Sequence, residues 1–315
     1  MSNKYKLVLL LGLGILFVSL YLFIDLSGNI DYILTRRLTR VLSIVLTGAV
    51  IAIATIVFQT ITNNRILTPS LIGLDALYQL IQTFIIFFYG STSISTTNQK
   101  LNFVISIVLM VGFALLLFKL LFKRGNNIYF LLLIGLIFGT FFQSLSTFMQ
   151  VLIDPNEFLV VQNRMFASFN NVQTDLLYIS LGLVVLIIAY ASRYYKYLDV
   201  LSLGKAHAVN LGVDYDRIVQ QLMIVVAVLI AVATALVGPI MFLGILVVNV
   251  TYEVFKTYRH TVLIVATVLV SIIALVGGQV IVDRVFNFST TLSVIINLIG
   301  GVYFLYLILK ENRTW

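Results

Sequence analysis

Side chains able to do chemistry are scarce in this chain, and the informative ones crowd into one stretch, Arg36 to Leu74. Arg36, Arg37 and Arg40 open it as RRLTR, ahead of a long apolar span, and Thr62-Asn63-Asn64-Arg65 closes it as a polar turn. Inside the span lie Ser43, Thr47, Gly48, Ala49, Ala52, Ala54, Thr55 and a single amide, Gln59. A helix that only anchors a protein needs none of these. Small side chains let neighbouring backbones approach, and polar groups in lipid persist where they hydrogen-bond or line a path. The segment reads as a wall offering weak contacts.

Bond-making chemistry has no candidate. The sequence holds no G-x-x-x-x-G-K-[ST] phosphate cradle, no H-E-x-x-H and no G-x-S-x-G, and its acids form no cluster for a proton relay. Zero cysteines exclude disulfides and thiolate chemistry without fixing a compartment. Two histidines, His207 and His260, are too few for a metal centre. Asp75 alone among the acids falls clearly near a span, just inside its cytoplasmic end. An ion-coupled transporter keeps ionisable groups near mid-membrane, where a charge is costly and retained for a task. The energy must come from elsewhere.

The elements that position these residues follow from composition. The 315 residues are 61% hydrophobic and 10% charged, with mean hydropathy +1.08. A soluble domain has too few polar residues at that ratio to cover its surface. Apolar runs without alternation fall at 5–25, 38–61, 70–90, 101–122, 127–153, 172–192, 218–237, 239–254, 260–282 and 291–309. Runs of about 20 residues match a helix crossing roughly 30 Å of hydrocarbon, so the fold class is all-α, a polytopic membrane protein of about ten spans. The short run 239–254 opens with Gly238-Pro239 and reads as a broken or shallow helix lining a cavity. Lys4 and Lys6 ahead of the first run resemble a signal peptide, but the run is too long and lacks a small-x-small site, so it reads as the first span. Residues 1–315 form a single transmembrane domain.

Net charge is +8, carried in short caps between spans, which points to membrane topology and not to nucleic acid. With both termini cytoplasmic, fourteen basic residues lie inside, among them Arg65, Lys123, Arg124, Lys256, Arg259 and Arg313, and six lie outside. Half of the outer six crowd into RRLTR. Two readings stand: docking of an acidic partner, or arginines snorkelling to lipid phosphate. The longest inner connection, Arg193 to Arg217, contains a coupling segment, 198–214. There Leu201, Ala206, Ala208, Val209 and Leu211 give a short helix an apolar face, bracketed by Gly204 and Gly212. It suits contact with a soluble partner, or an interfacial position on membrane lipid.

Four ordered stretches resemble one family, the permease subunits of type II ABC importers that take up iron–siderophore complexes, haem and vitamin B12. Residues 36–74 look like its R-L-P-R…G…L-Q…N-P-L-A-x-P-x-L-L-G signature, and LSLGKAHAVNLGV looks like its L-S-L-G-x-x-x-A-x-x-L-G-V segment. VGPIMFLGILV resembles its G-P-I-x-F-(V/L)-G-L segment, and VIINLIGGVYFLYLI its closing motif, so the likeness runs from residue 36 to the end. The resemblance implies the type II importer fold and assigns roles. Arg37, Arg40 and Arg284 would dock an extracellular lipoprotein binding protein; Asn64 and Ile66 would form the cytoplasmic gate. Leu201, Gly204, Ala208, Leu211 and Gly212 would couple to a cytoplasmic ABC ATPase dimer, where ATP and Mg would bind, with no cofactor on this chain. A second permease, identical or paralogous, would complete the path, and Ser168 falls near the outer gate. Thr47, Gln59, Gln143, Met149 and Gln150 are candidates for the path, or equally for helix packing.

Several positions depart from the family pattern. Thr39 and Arg65 stand where it has proline, Asp75 where it has serine, and Asn249 near its Pro-His. With LTPSLIGLDALY and FNFSTTLSVIINLIGGVYF, these look most like the subgroup importing catecholate siderophores such as petrobactin in Gram-positive bacteria. The cargo implied is a ferric siderophore crossing a bacterial cell membrane. Haem or cobalamin cargo, a secondary transporter working without an ATPase, and a lipid-modifying membrane enzyme stay open on the residues alone.

Overall fold

The computed structural model describes residues 2–24, 29–91, 98–122, 128–287 and 290–311. Lys123, Arg124 and Arg313, counted above on the inner side, lie outside these, as do Phe288 and Ser289 of FNFSTTL. Regular structure among the described residues is helical throughout. The first half comprises α1 (Asn3–Phe23), α2 (Ile30–Thr62), α3 (Leu74–Tyr89), α4 (Gln99–Phe122), α5 (Ile128–Leu152) and α6 (Pro155–Met165). The second comprises α7 (Thr174–Ala191), α8 (Leu198–Leu201), α9 (Lys205–Asn210), α10 (Tyr215–Val237), α11 (Leu243–Val254), α12 (His260–Arg284) and α13 (Leu292–Glu311).

Each of the ten apolar runs has its helix. Eight are long and apolar enough to cross a membrane, and α3 and α11 are apolar but shorter, at 16 and 12 residues. At 1.5 Å per residue α11 is only about 18 Å long. It starts four residues after Pro239, behind the non-helical stretch Gly238–Phe242, as its Gly-Pro opening predicts. Before α3 the chain makes a 3-10 turn, Pro69–Ile72, then bends through Gly73 at φ 85°. A Cβ there would lie 2.9 Å from the Gly135 carbonyl oxygen of α5, so only glycine fits both the angle and the space.

Two elements depart from the sequence expectation. Helix α2 begins at Ile30, well ahead of the 38–61 run, because Asn29 caps it by accepting from the Tyr32 N–H at 3.3 Å. Thr39 supplies the N–H a proline would lack, so the arginines ride on helix rather than ahead of it. Helix α6 falls on no predicted span. It is short and mixed in polarity, and its signal, Asp154 as cap with Pro155 in the first turn, was present in the sequence.

Helices α2 and α10 form the centre: 78% and 72% of their apolar windows are buried, against 11% for α1. Helix α2 packs on α10, α11 and α12, α10 also on α4 and α7, while α3 packs on α5 and α6. The small residues of α2 explain its place. A Cβ on Gly48 would sit 2.9 Å from Ser271 Oγ of α12, and one on Gly244 of α11 would overlap Thr55. In lipid, where apolar burial between helices gains little, such close approach is what holds spans together.

Candidate functional site

Arg37, Arg40 and Arg284 lie close together at the end of the bundle where α1 ends. Arg40 Nη1 of α2 donates to Asp283 Oδ2 of α12 at 3.2 Å and to the Tyr21 hydroxyl of α1 at 2.7 Å. Arg37 Nη1 donates to the carbonyls of Leu22 and Ile24 at 2.9 and 2.7 Å, satisfying the open end of α1, and Arg284 Nη2 reaches Ile24 O at 3.1 Å. Arg36 stays exposed over the Tyr32 ring. Asp283 also accepts from Gln279, which reaches Asn170 in the loop after α6 at 3.3 Å. The cluster clamps α1, α2 and α12 and carries net positive charge.

At the inner end the turn after α2 is held from several sides. Asn63 ends the helix in the left-handed region at φ 48°, and Asn64 Oδ1 accepts from the Ile66 N–H at 2.9 Å. The Arg65 carbonyl accepts from Gln59 Nε2 at 2.7 Å and from Asn249 Nδ2 of α11 at 3.0 Å. The Arg65 guanidinium stacks 4.5 Å over Tyr252. The residue that stands in place of a proline is therefore integrated into the turn after α2. Beside this turn opens a cavity of about 680 Å³, lined in part by Gln59, Asn64, Arg65, Ser202, Lys256 and His260.

The coupling segment is two short helices, α8 and α9, folded against that cavity. Gly204 and Gly212 bracket α9 at φ 90° and 78°. Leu201 and Ala208 point inward and are fully buried; Ala206 is exposed. Val209 and Leu211 turn out, 50% and 63% exposed, with Leu203 at 55% beside them. Asn63 Nδ2 reaches the Leu201 carbonyl at 3.4 Å, so gate turn and coupling segment touch. A second contact was not legible in sequence. Asp199 of α8 accepts from the His260 N–H at 2.9 Å and from its Nδ1 at 2.6 Å. Burial alone would raise the Asp199 carboxyl, but these hydrogen bonds and the nearby Arg259 charge hold it below the usual carboxylate range. No short-range spacing joins residues 61 apart; only the fold does.

The path candidates do not converge within the protomer. Of the six, only Gln59 lines the inner cavity. Thr47 and Met149 are buried in the packing. Gln150 Nε2 donates to Ser146 Oγ at 2.8 Å and Thr83 Oγ1 at 3.2 Å, joining α5 to α3. The Ser168 N–H donates to Val237 O at 2.9 Å beside the close Ala167–Gly238 approach. Gln143 is exposed on α5. Histidine, cysteine and acidic side chains form no group of three able to hold a metal among the described residues.

Known proteins resemble this chain in sequence and in fold. The chain is 60% identical over 316 residues, the full length of both proteins, to the petrobactin import system permease protein YclO of Bacillus subtilis. It is 34% identical over 281 residues to the petrobactin import system permease protein FatC of Bacillus anthracis, covering 89% of this chain and 79% of that one. An inward-facing metal-chelate type ABC transporter has the same fold, with TM-score 0.85 at 23% identity over 98% of this chain and all of the other. Residues 7–310 match the FecCD transport family, and the chain belongs to that family.

Proposed function

We propose that this chain is the membrane permease subunit of an ABC importer that carries a ferric siderophore of the petrobactin type into the cell. The observation that carries this reading is the 60% identity to a petrobactin permease across the full length of both chains. The geometry is compatible with transport. A cytoplasmic ATPase dimer would bind ATP and Mg and seat the exposed Leu203, Val209 and Leu211 in its surface. A lipoprotein binding protein would approach the outer arginines, its acidic groups competing with Asp283 and the α1 carbonyls for Arg37, Arg40 and Arg284. A second permease would cover exposed apolar helix faces and complete the path. Gln59 would line that path at its inner end, where the cavity gives bulky cargo room without a tight site.

Uptake of radiolabelled iron in cells lacking the chain tests this. Restoring the gene restores uptake of ferric petrobactin while leaving haem and cobalamin uptake unchanged. Restoration of haem or cobalamin uptake instead would overturn the cargo assignment.

A further inference from the structure

We propose that Asp199, His260 and Thr60 form a positioning relay that carries movement of the coupling segment to the inner gate. The proposal rests on the ATPase-driven reading above and names the residues that transmit the stroke. The carboxylate of Asp199, on α8, meets the first residue of α12 twice, at the His260 N–H and at ring Nδ1. On the other side of the same ring, Nε2 lies 2.8 Å from Thr60 Oγ1, near the end of α2 and just before the gate turn. His260 and Thr60 are 3% and 5% exposed, so little water competes for the bond between them, while the Asp199 side chain is 52% exposed.

Asp199 also stands in for a missing local cap. Arg259, the residue before α12, makes no side-chain bond to the helix start. The carboxylate that satisfies the His260 N–H therefore comes from the coupling segment, and a negative charge is favoured at that helix end. A displacement of α8 uncaps α12 and releases the ring that touches the gate helix in one motion.

Hydrogen counting sharpens the assignment. Thr60 has one hydroxyl hydrogen and two neighbours at bonding distance, Ile56 O at 2.7 Å and His260 Nε2 at 2.8 Å. With both ring nitrogens protonated, Nδ1 donates to Asp199, Nε2 donates to Thr60, and Thr60 donates to Ile56. All three links form together. With Nδ1 alone protonated, Thr60 must choose between Ile56 and the ring, and one link lapses. The charged groups around the ring are Asp199, the Arg259 side chain next to it, and Arg65 and Lys256, which line the same cavity.

The chain has no native cysteine, so a single Ile66→Cys reports the gate through its rate of labelling by a water-soluble maleimide. In the purified full chain, Asp199→Asn, His260→Gln and Thr60→Val each change that rate roughly two- to thirtyfold. Asp199→Asn combined with His260→Gln does no more than the larger single change, as groups acting in series require. Unchanged rates, or effects that simply add, overturn the relay. In proteoliposomes holding the assembled importer, the same variants lower siderophore moved per ATP hydrolysed while hydrolysis continues; an unchanged ratio also overturns it. A wild type that never imports at the expense of ATP defeats the ATPase reading instead, and the maleimide rates still decide the relay.

Discussion

At the scale of single residues, Arg40 shows how a side chain read for docking is first a structural one. Arg40 and Asp283 are largely buried, at 14% and 13% side-chain exposure, and their contact fastens α2 to α12. Removing one partner of a buried pair leaves the other charge uncompensated, which costs more than the pair contributes. Arg40→Gln therefore lowers the thermal stability of the purified chain, and adding Asp283→Asn restores part of it, with a coupling energy of about 0.5–3 kcal/mol in the double-mutant cycle. Strict additivity would mean the contact contributes nothing. Asp199 gives the corresponding pH prediction. Its carboxyl is held below the usual range by His260 and Arg259 against the opposing effect of burial. A depressed carboxylate stabilises the fold fully above its unfolded value, and that contribution is lost as pH falls through the depressed value. Thermal melts on the acidic side show this limb in the wild type, and Asp199→Asn flattens it.

At the scale of elements, the coupling segment divides its apolar residues between two tasks. Leu201 and Ala208 face the protein's own core, while Val209 and Leu211 face away from it. Glutamate at 209 or 211 leaves folding of the permease intact, because those side chains are half or more exposed. The same change weakens association with the ATPase about tenfold or more if they sit at the centre of that interface. Pull-down of the ATPase by each variant measures it, and equal recovery would place the contact elsewhere. The sequence disclosed the bracketing glycines and hence α9, because a positive φ leaves its mark in residue type. It did not divide inward from outward residues, since a helix of under two turns has too few positions for its period to show. The ten apolar runs were legible for the opposite reason: all are apolar along their length, and eight are long enough to cross a bilayer. Helix α6, mixed in polarity, lacks that signal and shows only its Asp-Pro start. Asn64 was singled out by motif, but Asn249 reaches the neighbouring Arg65 carbonyl across 184 residues and His260 reaches Thr60 across 200, which no local pattern encodes.

At the scale of the whole molecule, the question is what drives transport. Membrane-buried acids are few, and Asp75 is the one that lies in the packed centre, accepting from Thr234 Oγ1 at 3.3 Å near the start of α3. The first turn of a helix favours a negative charge, so Asp75 has a structural reason to be there. A proton-driven carrier needs an ionisable group that is alternately exposed to the two sides. Asp75 packs against α10 through Thr234, and Asp283, a largely buried acid at the far end of α12, is already engaged by Arg40. Collapsing the proton gradient while cellular ATP is maintained therefore leaves siderophore uptake near its full rate, and Asp75→Asn behaves the same way. Depleting ATP with the gradient intact abolishes uptake in both. Uptake that follows the gradient and ignores ATP would make the chain a secondary transporter, and Asp75 would then be the first residue to examine as its proton carrier.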